Sequence, residues 1–306
     1  MSINYSIAIP TYNAGDGWID CLKSIQLQSI SPRHVLVIDS NSSDSTCQKA
    51  EEMGCKLLHT NPKDFNHGRI RNVCINYLSD SEFIVFLTQD AVLSSGTSVS
   101  LLLSTFSDPE IGMAYGRQLP RLTTKPIGAH ARLFNYPASS EIRSIDDAKR
   151  LGIKTAFVSN SYAAYRRTAI EQIGGFPSNV ILSEDTYVAG KMLLADWKIS
   201  YVANSAVFHA HDYSYFSEFK RYFDTGVFHG RESWITHAFG RSENEGFKFI
   251  KSEFRYLMKH SPFLIPSSFF RTFIKYLGYK LGQHESILPR RIKVLFSMHK
   301  NFWRSS

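Results

Sequence analysis

The chain is short of cysteine. Its 306 residues include four, Cys21, Cys47, Cys55 and Cys74, with no CxxC pair and no metal-finger spacing. That argues against a disulfide framework or a structural zinc site, and free thiols in a reducing compartment are the expectation. No run reaches the ~18–20 apolar residues that span a bilayer. The opening MSINYSIAIPTYN lacks a basic region followed by a long apolar one, so it does not read as an export signal. The protein is expected to be made and kept in the cytoplasm. No GxGxxG follows the first apolar run and no GxxxxGK[ST] occurs, which argues against a dinucleotide fingerprint or a P-loop. Repeats and low-complexity tracts are also missing.

The composition is that of a globular protein, with 43% apolar and 20% charged residues. The length suits one large domain, or a domain with an extension. The net charge of +8 is local. Residues 251–306 carry eleven lysines or arginines against Glu253 and Glu285, a net +9, so residues 1–250 sum to −1. The basicity belongs to one segment and not to the fold as a whole.

Apolar runs and helical periodicity alternate along the first part of the chain. YSIAIPTYN, HVLVIDS, CKLLHT and EFIVFLTQD read as buried strands. GWIDCLKSIQLQS, STCQKAEEMG and HGRIRNVCINYLS read as helices between them, the second capped by Ser43 or Asp44 and closed at Gly54. Continuous apolar strands alternating with helices predict an α/β fold with a mostly parallel sheet. Further on, IGMAYGRQLP reads as a strand, AFVSNSYAAYRRTAIEQIGGFP as strand, helix and glycine stop, SEDTYVAGKMLLADW as a helix with an acidic start, and KISYVANSAVFHAHD as a final strand pair. From residue 214 onward only helical patterns remain. The expected division is residues 1–213 as the α/β domain and 214–306 as a helical, basic, amphipathic region.

Ligands of an open parallel sheet bind at the carboxyl ends of its strands. Those ends carry Pro10, Thr11, Tyr12 and Asn13; Asp39 and Ser40; Thr88, Gln89 and Asp90; and His209 and His211. Asp39 suits either a base or ribose contact, or a turn within DSNSSDS. Asp90 suits a divalent metal shared with phosphates, or the start of a turn. His209 and His211, at i and i+2 on one strand face, are candidate metal ligands beside a carboxylate, and packed side chains otherwise. Glu184 and Asp185 open a helix, where its dipole favours anions. Capping accounts for one of them, and a general base is the further use of the pair.

In series, SIAIPTYN, VLVIDSNSSDST, GRIRN, LTQDA, IGGFP, SEDTYVAGKML and VFHAH resemble the family 2 glycosyltransferases, inverting enzymes of the GT-A fold, over roughly residues 5–215. FNHGRIRN, LTQDA, SNSYAAYRR and FDTGVFH are similar in wording to bacterial rhamnosyltransferases of O-antigen and capsule assembly. The resemblance implies that Pro10, Thr11, Tyr12 and Asn13 border the nucleotide, that Asp39 and Ser40 meet the pyrimidine or ribose, and that Arg71 lies near the nucleotide with Asn72 supporting its loop. His67 and Gly68, with Asp64 and Asn66, become candidates for the sugar or diphosphate. Asp90 becomes the metal-binding aspartate, completed by His209 or else His211, and Asp185 the base, with Glu184 beside it. The first acid of the family's DxD is here Thr88, in TQD. That puts metal dependence in question and makes Thr88 or Gln89 a candidate ribose contact.

The activity this implies is transfer of a sugar, L-rhamnose from dTDP-β-L-rhamnose, to a hydroxyl of a lipid-linked oligosaccharide acceptor, with Mg²⁺ or Mn²⁺. The rival readings are a UDP-hexose donor, a non-catalytic glycan-binding protein and a nucleotidyltransferase. PTYNAGDG lacks the basic residue that the last would want. In the basic tail, Phe269, Phe270, Phe273, Ile274 and Leu277 fall at helical spacing among Arg271, Lys275 and Lys280. This reads either as a segment lying on the anionic inner face of the cell membrane or as a face packed on the catalytic domain or a second subunit. No nucleic-acid motif accompanies the charge. Oligomeric state is left open.

Overall fold

In the computed structural model, residues 3–62, 66–240 and 245–303 are described. Asp64 lies outside them. Strands β1 (Tyr5–Thr11), β2 (Val35–Asp39), β3 (Lys56–His59), β4 (Phe83–Leu87), β5 (Val92–Leu93), β6 (Ile111–Leu119), β7 (Glu141–Arg143), β8 (Tyr162–Arg166) and β9 (Lys198–Phe208) form one sheet. Its order is β3-β2-β1-β4-β8-β6-β9-β5, with β7 pairing β9. β1, β2, β3 and β4 are mutually parallel. β8 runs antiparallel between β4 and β6, while β6 and β9 resume the first direction. Six of the nine strands therefore share one sense.

The helices are α1 (Trp18–Gln26), α2 (Thr46–Glu52), α3 (His67–Tyr77), α4 (Ser98–Ser104), α5 (Pro126–Asn135), α6 (Ala148–Leu151), α7 (Arg167–Gln172) and α8 (Glu184–Leu194) in the first part. α9 (Tyr215–Arg231), α10 (Ser233–Phe239), α11 (Glu245–His260), α12 (Ile265–Gln283) and α13 (Arg290–Phe296) follow. Period-2 alternation sorts the strands into two cores. Ile7, Ile9, Val37 and Val85 pack on one face with Trp18 and Leu22 of α1. Ala8, Leu36, Ile38, Ile84 and Phe86 pack on the other with α3, α8 and α9. Covering both faces is why these strands read as unbroken apolar runs.

Two expectations change. KISYVANSAVF is one strand, not a pair. Its Ala203–Ser205 step is a bulge, where the β6 register jumps from Gly116↔Val202 to Arg117↔Ala206. His209 and His211 lie beyond the end of β9 and not on a strand face. The cap of α2 is subtler than predicted: Ser45 holds the N-cap position, and Asp44 Oδ1 accepts the Thr46 N–H at 3.0 Å.

The last helices are not a separate body. Phe223, Val227 and Phe228 of α9, with Trp303, belong to the core of the α3 and α8 face. α9 and α12 cross with their backbones in contact. A Cβ added to Gly226 would lie 2.1 Å from the Tyr279 carbonyl oxygen, and one on Gly282 would lie 2.0 Å from that of Phe223. Glycine is required there by space.

Candidate active site

The register of β1 on β2 places Thr11 opposite Asp39, and Thr11 Oγ1 donates to Asp39 Oδ1 at 2.8 Å. Asp39 is completely buried. Its Oδ1 also accepts Ser42 Oγ at 2.6 Å and its Oδ2 the Ser42 N–H at 2.8 Å. Burial pushes this carboxyl up, but the donors of Ser42, Thr11 and Cys47 outweigh it and hold the group below the usual range. The turn use expected for Asp39 is present: the carboxylate shapes the loop that follows β2. Ser40 is buried beside it, with its N–H on the Thr11 carbonyl.

Asn13 and Asn41 sit at φ +44° and +62°, and Ser183, at the N-cap of α8, at +60°. Among the described residues, two of the four non-glycine residues in the left-handed region thus lie in strand-end loops, and a third opens the helix of the acidic pair. Asn13 Oδ1 accepts the Ser43 N–H at 2.8 Å. Gln89 pins the exposed Tyr12 from both sides: its Oε1 accepts the Tyr12 N–H at 2.8 Å and its Nε2 donates to the Tyr12 carbonyl at 3.1 Å. Pro10 and Thr88 stand on either side of this clasp, at the ends of β1 and β4.

The antiparallel pairing Val92↔Phe208 brings the turn after β4 against the end of β9. Asp90 Oδ2 lies 3.4 Å from His209 Nε2 and 3.5 Å from His211 Nε2. Both histidines reach Asp90, where the sequence had favoured one. Burial raises the Asp90 carboxyl, but the two imidazoles outweigh it and hold it well below the usual range. His211 is pushed down to about 4 by burial and by His209, against the pull of Asp90. The buried His209 meets Gln118 Oε1 through Nδ1 at 3.0 Å, which leaves Nε2 toward Asp90. One donor atom from each of Asp90, His209 and His211 lies within 4.8 Å of the others. A carboxylate and two imidazoles, one of them oriented by Gln118, fit a divalent cation. Arg121 Nη2 donates to the Asp90 carbonyl at 2.7 Å.

The acidic pair divides its roles. Glu184 is buried and pairs with Arg71 Nη1 at 2.9 Å, and the guanidinium lies over the rings of Phe86 and Phe176. Arg71 is 4% exposed. It stands beneath the acidic pair and not on the open rim where a nucleotide contact was expected. Glu184 is accordingly a held counter-ion: burial raises its carboxyl, but Arg71 leads the groups that bring it below the usual range. Asp185, partly exposed, accepts the Asn160 N–H on Oδ2 at 3.1 Å and the Thr186 N–H on Oδ1 at 2.8 Å. Burial first, then the charge of Glu184, push its carboxyl up to about 6. A carboxylate of that strength, at the rim, can take a proton from a hydroxyl near neutral pH.

FNHGRIRN acquires distinct local roles. Asn66 is the N-cap of α3, accepting the N–H groups of Gly68 and Arg69 at 3.0 Å each. A Cβ on Gly68 would meet the Pro177 carbonyl oxygen at 1.8 Å, so packing against that loop leaves no space for a side chain. Asn72 clasps the backbone of Phe176 through both side-chain atoms at 2.8 Å, supporting the Gly174–Pro177 loop. The His67 carbonyl accepts Arg71 Nη1 at 3.0 Å.

Asn160, Gln118 and Arg121 were not singled out in the sequence. Asn160 binds both acids, through N–H to Asp185 and through Nδ2 to Glu184 at 3.1 Å. Its only signal was its place in SNSYAAYRR. A lone glutamine near the end of a strand, or a lone arginine just after it, gives none.

The Glycosyl transferase family 2 profile matches residues 6–174. The chain is 46% identical over 301 residues to the O-antigen chain rhamnosyltransferase RfbN of Salmonella typhimurium, covering 98% of this chain and 96% of that one. It is 44% identical over 303 residues to the O-antigen chain rhamnosyltransferase WbaN of Salmonella anatum, covering 99% and 96%. Among solved structures it is similar to the mannosyltransferase PcManGT of Pyrobaculum calidifontis, in complex with GDP-Man and Mn²⁺, with TM-score 0.63 at 16% identity, covering 94% of this chain and 87% of that one. Residues 1–349 of S. aureus TarS align with TM-score 0.53 at 15% identity, covering 93% and 91%. At such identities these two share the GT-A fold and nothing finer.

Proposed function

The chain belongs to glycosyl transferase family 2, and on that premise we propose that it transfers L-rhamnose from dTDP-β-L-rhamnose to a hydroxyl of a lipid-linked saccharide in O-antigen assembly. Two relatives similar over nearly their whole length, both O-antigen chain rhamnosyltransferases, support the sugar and the setting. The observation that carries the chemistry is the split between carboxylates on one rim: Asp39 and Asp90 held as anions, Asp185 raised to about 6.

The donor nucleotide lies over the Tyr12–Gln89 clasp and the loop shaped by Asp39. Asp90, His209 and His211 would hold a divalent cation, Mg²⁺ or Mn²⁺, which neutralises diphosphate charge when bound. Asp185 accepts the proton of the acceptor hydroxyl as that oxygen attacks the anomeric carbon, while Glu184, fixed by Arg71 and Asn160, keeps Asp185 basic. The nucleoside diphosphate leaves from the opposite face, so configuration inverts and the product is an α-L-rhamnoside. Incubation with a synthetic lipid-linked acceptor and dTDP-rhamnose, UDP-glucose or GDP-mannose tests this. Transfer from dTDP-rhamnose alone, with the α-anomer by NMR, is expected. Transfer from a UDP-hexose instead overturns the donor, and the β-anomer overturns the mechanism.

The region 214–306 supplies the approach to the acceptor. No helix among the described residues is long and apolar enough to cross a membrane. α12 presents Phe269, Phe270, Phe273 and Tyr276 outward, each more than half exposed, with Lys280 6.0 Å from the Tyr276 ring. The adjoining α11 carries exposed Lys251, Arg255 and Lys259. Arg271 and Lys275, counted in sequence among the lipid-facing charges, are instead bound to Glu218 at 2.8 and 3.5 Å. Exposed aromatics on one helix and exposed lysines and arginine on its neighbour match an anionic bilayer surface, at about 1 kcal/mol per basic residue near it. The protein then works on the inner face of the cell membrane. Flotation with phosphatidylglycerol vesicles at low salt is expected, and retention in the soluble fraction overturns it.

A further inference from the structure

The unit β2–α2–β3 brings three different ligand types together at the β3 edge of the sheet. Asp39 ends β2, Cys47 lies in the first turn of α2, and His59 ends β3. The two strands are parallel, and their register sets Asp39 beside His59. Side chains in register on neighbouring strands share a face. One donor atom from each residue, a carboxylate oxygen, Sγ and an imidazole nitrogen, lies within 4.8 Å of the others.

The three side chains are held differently. Asp39 is fixed by Thr11 and Ser42. The turn that carries Cys47 is pinned through the buried Thr46: its Oγ1 accepts the Ala14 N–H at 2.8 Å, and its carbonyl accepts Trp18 Nε1 at 2.9 Å. His59 is exposed, and its ring makes no hydrogen bond or ion pair among the described residues. Two ligands are thus set by the fold, and the third can turn toward them.

The electrostatics call for a cation. Asp39 is a completely buried carboxylate held as an anion, and it has no ion-pair partner among the described residues. Only neutral donors meet its charge, whereas buried charges are ordinarily paired or bound to metal. Each carboxylate oxygen has two lone pairs. Oδ1 accepts two hydroxyls, from Thr11 and Ser42, while Oδ2 accepts the Ser42 N–H. The further donor to this carboxylate is the Cys47 thiol. Burial first, then Asp39, push that thiol up to about 11. An ion bound here therefore takes the place of the thiol proton, which leaves to solvent.

We infer that Asp39, Cys47 and His59 form a second cation site, for a thiophilic divalent ion of the zinc class, which staples the edge strand β3 to β2 and α2. The sulfur separates it from the cluster of Asp90, His209 and His211, which offers oxygen and nitrogen alone. Thiolate with imidazole favours Zn²⁺ over Mg²⁺ and Mn²⁺, and water on the exposed His59 side completes four-coordination. β3 has four residues, none of them buried, and pairs with β2 alone. It is the strand with most to gain from such a tie.

The test uses the full-length protein, stripped with a chelator, as wild type, Cys47→Ser, His59→Ala and His211→Ala. Co²⁺ is the probe, because a cobalt–thiolate bond gives a near-ultraviolet charge-transfer band that oxygen and nitrogen ligands do not. Wild type should show the band, and so should His211→Ala, in which the Asp90 cluster is broken. Cys47→Ser should lack it, and His59→Ala should weaken Co²⁺ binding at least ~10-fold, the least that even an outer partner of a ligand is worth. Zn²⁺ should erase the band and Mg²⁺ leave it. Zn²⁺ should also raise the unfolding temperature of wild type and His211→Ala but not of Cys47→Ser. No band in wild type, an equal band in Cys47→Ser, or its loss in His211→Ala overturns the site. Equal stabilisation of Cys47→Ser by Zn²⁺ overturns the staple. If Cys47→Ser fails to fold, X-ray absorption at the zinc edge decides. One sulfur ligand in wild type, kept in Cys55→Ser, supports the site, and a shell of nitrogen and oxygen only, or a sulfur lost in Cys55→Ser, overturns it.

Discussion

On the proposed reading, the donor side of the rim and the acceptor side are built from the same residue type to opposite ends. Asp39 and Asp90 are carboxylates at strand ends surrounded by donors: hydroxyls and a thiol in one case, imidazoles in the other. Asp185 has two backbone N–H groups but also a carboxylate as its neighbour, and the nearby cation, Arg71, is paired with Glu184. Burial raises all three. What decides the outcome is who else points at each group. Binding charge calls for carboxylates that stay anionic, and moving a proton calls for one that can be persuaded to accept it.

The most direct way to break this contrast is Asp185→Asn. Turnover should fall ~10²- to 10⁴-fold with donor affinity preserved, as read by single-turnover kinetics and titration calorimetry. Stability should move the other way. A raised carboxyl favours the fold below its unfolded pKa near ~4, and that contribution is lost as pH rises through about 6. The variant should therefore unfold at a higher temperature than wild type at pH 8. Next in size is Arg71→Met, which leaves Glu184 buried without its cation and should cost about 3–5 kcal/mol in urea unfolding. On the donor side, Gln118→Leu frees Nδ1 of His209 and should weaken Mn²⁺ affinity roughly 10- to 100-fold, measured by metal titration.

A subtler variant sharpens the comparison instead of breaking it. In wild type, turnover should drop as pH falls through about 6 and Asp185 takes up its proton. Glu184→Gln removes the neighbouring charge and leaves Arg71 unpaired, and both changes favour the Asp185 anion. The acid limb should shift to lower pH in a pH–rate profile. The smallest effect expected is for Asn66→Ala, the lost cap of α3, at about 1 kcal/mol in the same urea assay.

The parallel half of the sheet was legible because both of its faces are buried, so strand and helix patterns reach the sequence undiluted. β5 and β7, two and three residues long, leave no periodicity to read. The single strand β9 was mistaken for a pair because a bulge and a turn both call for small polar residues, and Ala203–Ser205 serves the first. In the site, residues whose charge is the point stood out: Asp90, Asp185 and the two histidines. Residues that act by orienting others did not. Gln118 and Asn160 matter through partners 91 and 25 positions away, a relation that exists only once the chain has folded. Arg71 was found but misplaced, since its sequence gives a cation and not the depth at which it lies.

The glycine crossing of α9 and α12 has a mechanical consequence. Because the two backbones touch at Gly226 and Gly282 with no side chains between them to compress or swivel, the outer face of α12 is joined to the core through a stiff strut. Whatever surface α12 rests on, the height and tilt of the catalytic rim above it are then set by the fold itself. The length of acceptor that can reach Asp185 would be gauged by that distance, as work is gauged on a fixed bench.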